Sequence, residues 1–152
     1  MTAIFRSLAE RFDRRSAIVN VDPDALAGLE RQLGVFLPSD LVTFLLEVGP
    51  TWTPSIVDVI VDHGIDLWDL QQVWSLEVVA NDRASGWTSS PKVDLIPFAS
   101  DSMGNIFGFL PSDLRSRSDH APVLFFDHDF NTIEPEASSF AEFIERYMAL
   151  PA

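Results

Sequence analysis

Helical spacing of apolar residues governs the first third of the chain, and short apolar runs broken by polar turns govern the last part. Residues 94–109 read DLIPFASDSMGNIFGF. Leu95, Ile96, Pro97 and Phe98 form one run, residues 99–104 a polar turn with Asp101 and Gly104, and residues 105–109 a returning run. Apolar runs bounded by Ser, Asp and Gly predict two buried strands folded back on each other. In that turn Gly104 is expected to take a positive φ, and Gly108 to mark a close approach between strands. Residues 122–127, PVLFFD, predict a third strand. Residues 133–136 predict an edge strand, because an edge tolerates Pro135.

Ile4, Phe5, Leu8 and Phe12 are helically spaced, with arginines between them, and predict an amphipathic helix over residues 3–14 that packs on the core. Asp22-Pro23 is a helix start, a capping carboxylate followed by a proline whose missing N–H costs nothing. Leu26, Leu29 and Leu33 mark its buried face, and Gly34 stands where a left-handed C-cap belongs. A second helix follows, capped by Ser39 or Asp40, striped by Leu41, Phe44, Leu45 and Val48, and ended by Gly49-Pro50. Residues 55–62, rich in Ile and Val, are expected to form a strand. Residues 67–74 are expected to form a short helix with Leu70, Val73 and Trp74 inward. Residues 82–92 and 111–121 are expected to be exposed loops. Ser139 with Glu142 makes a capping-box pattern. Phe140, Phe143, Ile144, Tyr147 and Met148 then define a closing helix.

At 152 residues, 47% hydrophobic and with 12 Phe, the chain is expected to be one folded domain, residues 1–152, with residues 1–15 as an N-terminal helical addition. Cysteine is absent, which excludes disulfides, thiolate metal sites and cysteine nucleophiles. No apolar run approaches the ~20 residues that span a bilayer, and no signal-peptide core is present. A cytoplasmic protein is the expectation.

Charge changes the picture. Nine arginines and Lys92 face 23 acidic residues, for a net −13. Arg6, Arg11, Arg14 and Arg15 against Glu10 and Asp13 make the first fifteen residues +2, leaving −15 for the rest. Such a body repels phosphate backbones and attracts a basic partner, so no direct nucleic-acid or membrane binding is expected.

The candidate chemistry is thin. Asp127-His128-Asp129 with Asn131 opens like a calcium loop, but Thr132 replaces its glycine and Ser138 its glutamate. The histidines His63, His120 and His128 lack metal-helix spacing. A Ser100/His128/Asp127 triad has no G-x-S-x-G elbow to support it. No cofactor, no metal and no enzymatic activity are expected. Among the tryptophans, Trp74 is expected in the core. Trp52 and Trp87, beside Pro, Ser and Gly, are candidates for exposed binding anchors.

The order of these elements resembles the SUKH superfamily. Its opening signature, a helix ending in an L-G-x-x-L-P turn before a second amphipathic helix, is matched by Leu33, Gly34, Leu37, Pro38, Phe44 and Leu45. The family's middle strand–turn–strand is similar to residues 95–109. Its late motif, an apolar strand ending in acidic residues before a Ser-Phe-x-x-Phe helix, is similar to residues 123–129 and 138–144. The chain departs from the family at Val42, at Val48-Gly49 and over residues 50–54. The resemblance implies an α+β domain, a mainly antiparallel sheet flanked by N-terminal helices and a C-terminal helix. It further implies an immunity protein that neutralises a cognate secreted toxin, such as a basic nuclease domain. Eukaryotic relatives are regulators or scaffolds, and an intracellular scaffold without a toxin partner is the alternative. Partner contacts are expected at Trp52, Trp87, Asp101, Asp127 and Asp129.

Overall fold

The computed structural model describes residues 2–15 and 19–152. Met1, where the expected domain begins, and residues 16–18 lie outside the described residues. Six strands, β1 Thr51–Trp52, β2 Gln72–Val73, β3 Ile96–Ser100, β4 Ile106–Phe109, β5 Val123–Asp127 and β6 Thr132–Ala137, form one antiparallel sheet in chain order. The helices are α1 Thr2–Phe12, α2 Pro23–Leu33, α3 Ser39–Glu47, α4 Ser55–His63, α5 Leu76–Ser85 and α6 Phe140–Met148, with a 3-10 turn at Pro111–Leu114. This is the expected α+β architecture, flanked by N-terminal helices and a C-terminal helix.

The sheet's two faces follow from the strand period of two. Phe107 and Phe125 pair across β4 and β5 and belong to the larger core, with α1, α3 and α6. Their neighbours Ile106 and Phe126 belong to a smaller cluster with Leu29, Trp74 and Val79, under α2 and α5. Phe5, Phe44 and Phe140 meet edge-on or tilted, with ring centroids 5.2–5.6 Å apart, so α1 seals the gap between α3 and α6. Each such ring contributes about 1.5–3 kcal/mol by leaving water. Gly108 is the expected close approach: a Cβ there would stand 2.6 Å from the Ile96 carbonyl oxygen.

Both sheet edges are closed to further pairing. Trp52 on β1 receives Asp13 and Arg14 from the end of α1, through Trp52 N to Asp13 Oδ1 (3.2 Å) and Arg14 N to Trp52 O (2.9 Å). On β6, Glu134, Pro135 and Glu136 blunt the outer edge, as charge and proline do on natural edges.

Four expectations are corrected. Residues 55–62 are helix α4, not a strand. Ile56 and Ile60, four apart, are its buried residues, and Gly64 ends it in the left-handed conformation. Core packing at helical spacing overrides the β-propensity of its Ile and Val residues. Residues 67–74 are irregular chain running into β2, not a helix. Leu70, Val73 and Trp74 are buried as expected, but Gln71 N donates to Ser100 O and Trp74 N to Phe98 O, so sheet pairing holds the backbone. The exposed loop expected at residues 82–92 begins inside α5, and Thr88 is buried. α5 buries a single residue, Val79, so it has no apolar stripe to betray it; its local signatures are Ser75 capping Val78 N and the left-handed Gly86 at its C-terminus. Finally, neither Ser39 nor Asp40 caps α3. Pro38 holds that position without a side-chain bond, and Asp40 is committed elsewhere.

Candidate binding surface

The β3–β4 and β5–β6 turns lie at the same end of the sheet. In the first, residues 101–105, an aspartate, a glycine and an asparagine do the work of reversal. Asp101 Oδ1 accepts from Met103 N (2.9 Å) and Asn105 N (2.8 Å), and Asp101 N donates to Asn105 O (3.1 Å). Gly104 sits at φ 85, as expected, where a side chain would be strained. Asp101 is only 2% exposed. Its carboxylate turns into its own loop because unpaired backbone N–H groups there need an acceptor. Its carboxylate therefore holds the turn from within.

Asn105 joins the two turns. Its Nδ2 donates to Asp101 Oδ2 (3.0 Å), which leaves Oδ1 facing the second turn. Oδ1 accepts from His128 N (3.1 Å) and lies 2.7 Å from His128 Nδ1, which therefore carries the hydrogen. In the second turn, Asp127 Oδ1 accepts from Asp129 N (3.0 Å), and Asn131 takes φ 53. A third tie comes from the chain before β2. The Asp69 carboxylate accepts from Ser102 N and Ser102 Oγ, both at 3.0 Å. Burial pushes the Asp69 carboxyl above the usual carboxylate range, against the Ser102 hydrogen bonds and with the Asp101 charge adding to the rise.

With the backbone held from inside, the side chains of Met103, Asp129 and Phe130 project as the exposed parts of these tips. Beside them, a groove of about 410 Å³ is lined by Ile65, Asp66, Leu67, Trp68, Glu134 and Glu136. Trp68 stacks on Phe125 at 4.3 Å between ring centroids, and Tyr147 Oη donates to Trp68 O (2.7 Å). Glu136 is raised by burial, opposed by Arg146 at 3.6 Å, and raised further by Glu134 and Asp66. Residues 64–74, 101–110 and 122–137 contain no lysine or arginine but hold Asp66, Asp69, Asp101, Asp127, Asp129, Glu134 and Glu136. Such a surface can attract and desolvate cationic groups. Among the described residues, no group of three or more histidines or carboxylates is placed to hold a metal ion. Ser100 Oγ accepts from Trp74 Nε1 (3.0 Å), whereas the His128 ring nitrogens face Asn105 and Asp129.

The SMI1/KNR4 family (SUKH-1) matches residues 20–146. The chain belongs to this family. No curated protein matches it. No helix among the described residues is long and apolar enough to cross a membrane.

Within the SUKH-1 match lies the L-G-x-x-L-P turn between α2 and α3. Gly34 takes φ 69 and donates to Glu30 O. Glu30, buried and overlooked in the sequence, accepts from Leu37 N (2.7 Å) and pairs through both oxygens with Arg117, each at 3.1 Å. Asp40 Oδ2 accepts from Ala141 N at the start of α6 (3.0 Å) and lies 3.1 Å from His120 Nδ1. The turn thereby straps residues 111–121 and α6 together; it is a structural junction. Helix α1 lies outside the SUKH-1 match.

The two candidate tryptophans do not join the tips. Trp52, 40% exposed, shares a row across the sheet with Gln72, Ser100, Ile106, Phe126 and Ile133. It sits on β1, two strands from β3 and four from β5, roughly 10 and 19 Å away at ~4.8 Å per strand. Trp87, 54% exposed, precedes β3 and so lies toward the opposite end of the sheet. Exposed Met103 and Phe130 went unnoticed in the sequence, where an apolar residue in a turn gives no periodic signal.

Proposed function

We propose that this protein is a non-enzymatic immunity protein that binds a cognate secreted toxin and neutralises it by masking its active site. It acts in the cytoplasm of the cell that makes it. Membership of the SMI1/KNR4 family supports the reading, since the bacterial members it resembles look like immunity proteins. The observation that carries it is the surface described above, where Asp66, Asp127, Asp129 and Glu134 reach solvent on chain segments that hold no lysine or arginine. A toxin that handles a phosphate-bearing substrate is cationic where it holds that substrate, and an anionic protein can occupy the same place.

Co-expression tests this. The product of the adjacent gene, produced alone, should arrest growth. Production together with this chain should restore growth and yield a stable complex. Growth arrest that persists, with no complex isolated, counts against the proposal.

A further inference from the structure

All but two of the twelve phenylalanines are buried. One exception is Phe36, and the Arg117 guanidinium lies over its ring at 4.9 Å. The other is Phe130, at the β5–β6 tip, with 77% of its surface in water. The adjoining tip carries Met103, 69% exposed. Each stands within two residues of the contact between the tips, where the His128 ring faces Gly104 at 3.5 Å from the position of an added Cβ. Val61 is comparably exposed but stands alone on α4, and single exposed apolar residues are ordinary on any surface.

Neither tip side chain serves its own turn. Asp101 and Asn105 hold one backbone, and Asp127, Asn131 and the His128–Asn105 contact hold the other. A fixed backbone that presents large apolar side chains loses little freedom on binding, which suits an anchor.

We propose that the paired hairpin tips are a docking surface for a protein with a cationic face and an apolar depression. Phe130 and Met103 enter the depression, while Asp129 and Asp127 meet the partner's lysines and arginines. Charge complementarity selects this occupant. A second copy of the chain, nucleic acid or an anionic membrane would bring like charge to a surface whose segments hold no lysine or arginine. The assignment rests on the immunity reading for the partner's identity, not for the surface.

Photocrosslinking tests it. Benzoylphenylalanine would replace Phe130, Met103, Trp52 or Trp87 one at a time in the full chain, within cells that make it. The expected result is one basic protein joined at positions 130 and 103, not at 87, and lost as salt is raised. The double variant Phe130→Ser/Met103→Ser should keep its thermal midpoint and bind that protein about tenfold more weakly or worse. Crosslinks confined to Trp52 or Trp87, an acidic target, or no crosslink at the tips would overturn the assignment. A basic target that is not a toxin upholds the surface and sinks the immunity reading. A toxin joined only through Trp87 does the reverse.

Discussion

At the start of α3 the Asp40 carboxylate is buried and accepts from Leu41 N and Ala141 N, with His120 beside it. At the other corner, Asp129 stands in water at the tip of a hairpin, its side chain 3.3 Å from His128 Nε2 and otherwise open. Between these extremes lies Asp101, on the surface end of the sheet but turned inward. The same side chain thus serves as an internal acceptor where backbone N–H groups converge, and as a source of external field where none do. Net charge counts all of them alike. Only the second kind can act on a partner.

Substitutions sharpen this contrast, and the largest effect is expected at Asp40. Asp40→Ala strands two buried N–H donors and should lower stability by about 3 kcal/mol. Its thermal midpoint should then fall by roughly 6–12 °C. A fall of only a degree or two would show that Asp40 is no junction. Asp101→Ala should cost about 2 kcal/mol, less because the turn is nearer to water, and should also weaken partner binding by loosening the Met103 tip. Stability lost with binding intact would separate the turn from the docking surface.

Arg11→Ala comes next. Arg11 donates to Met148 O, Leu150 O and Pro151 O, covering the last carbonyl of α6 and two in the segment after it, from a helix outside the family match. Its loss should cost about 1 kcal/mol, read as a shift in the urea midpoint.

A pH effect of smaller size follows from the inward carboxyls. Asp69, Asp82 and Glu136 are all raised, each chiefly by burial. Between the unfolded and folded values the folded state holds more protons, so stability should rise as pH falls from neutrality toward the ordinary carboxylate range. Glu142 works oppositely. It is lowered by the Ser138 hydroxyl and N–H and by Arg146, and its contribution is lost in stronger acid. A urea midpoint that drops steadily from neutral pH downward contradicts this. The smallest stability effect is expected at Asp129→Asn, under about 0.5 kcal/mol. There the readout is kinetic: the association rate should fall, and its salt dependence should flatten.

Much of the fold was legible in the residues. The β3–β4 hairpin, β5, the edge strand with Pro135, and the helices α1, α2, α3 and α6 each carried a periodic stripe or a chemically specific stop. The Gly34 cap and Ser139 cap adopt the geometry their residues announce. Residues 55–62 and 67–74 did not yield. Ile-Val runs fit strand or helix, and Leu70, Val73 and Trp74 have helical spacing although the sheet holds their backbone. Short segments lack the local energy to choose, so neighbours choose for them.

For the candidate surface, composition alone established an anionic chain without cysteine, and the motif order resembled the family that the SUKH-1 match shows. Tertiary structure decided which carboxylates reach solvent, brought Met103 beside the β5–β6 turn through Asn105 and His128, and set Trp52 on the far edge strand and Trp87 before β3. Burial and proximity are properties of pairs far apart in the chain, and no single stretch of residues encodes them.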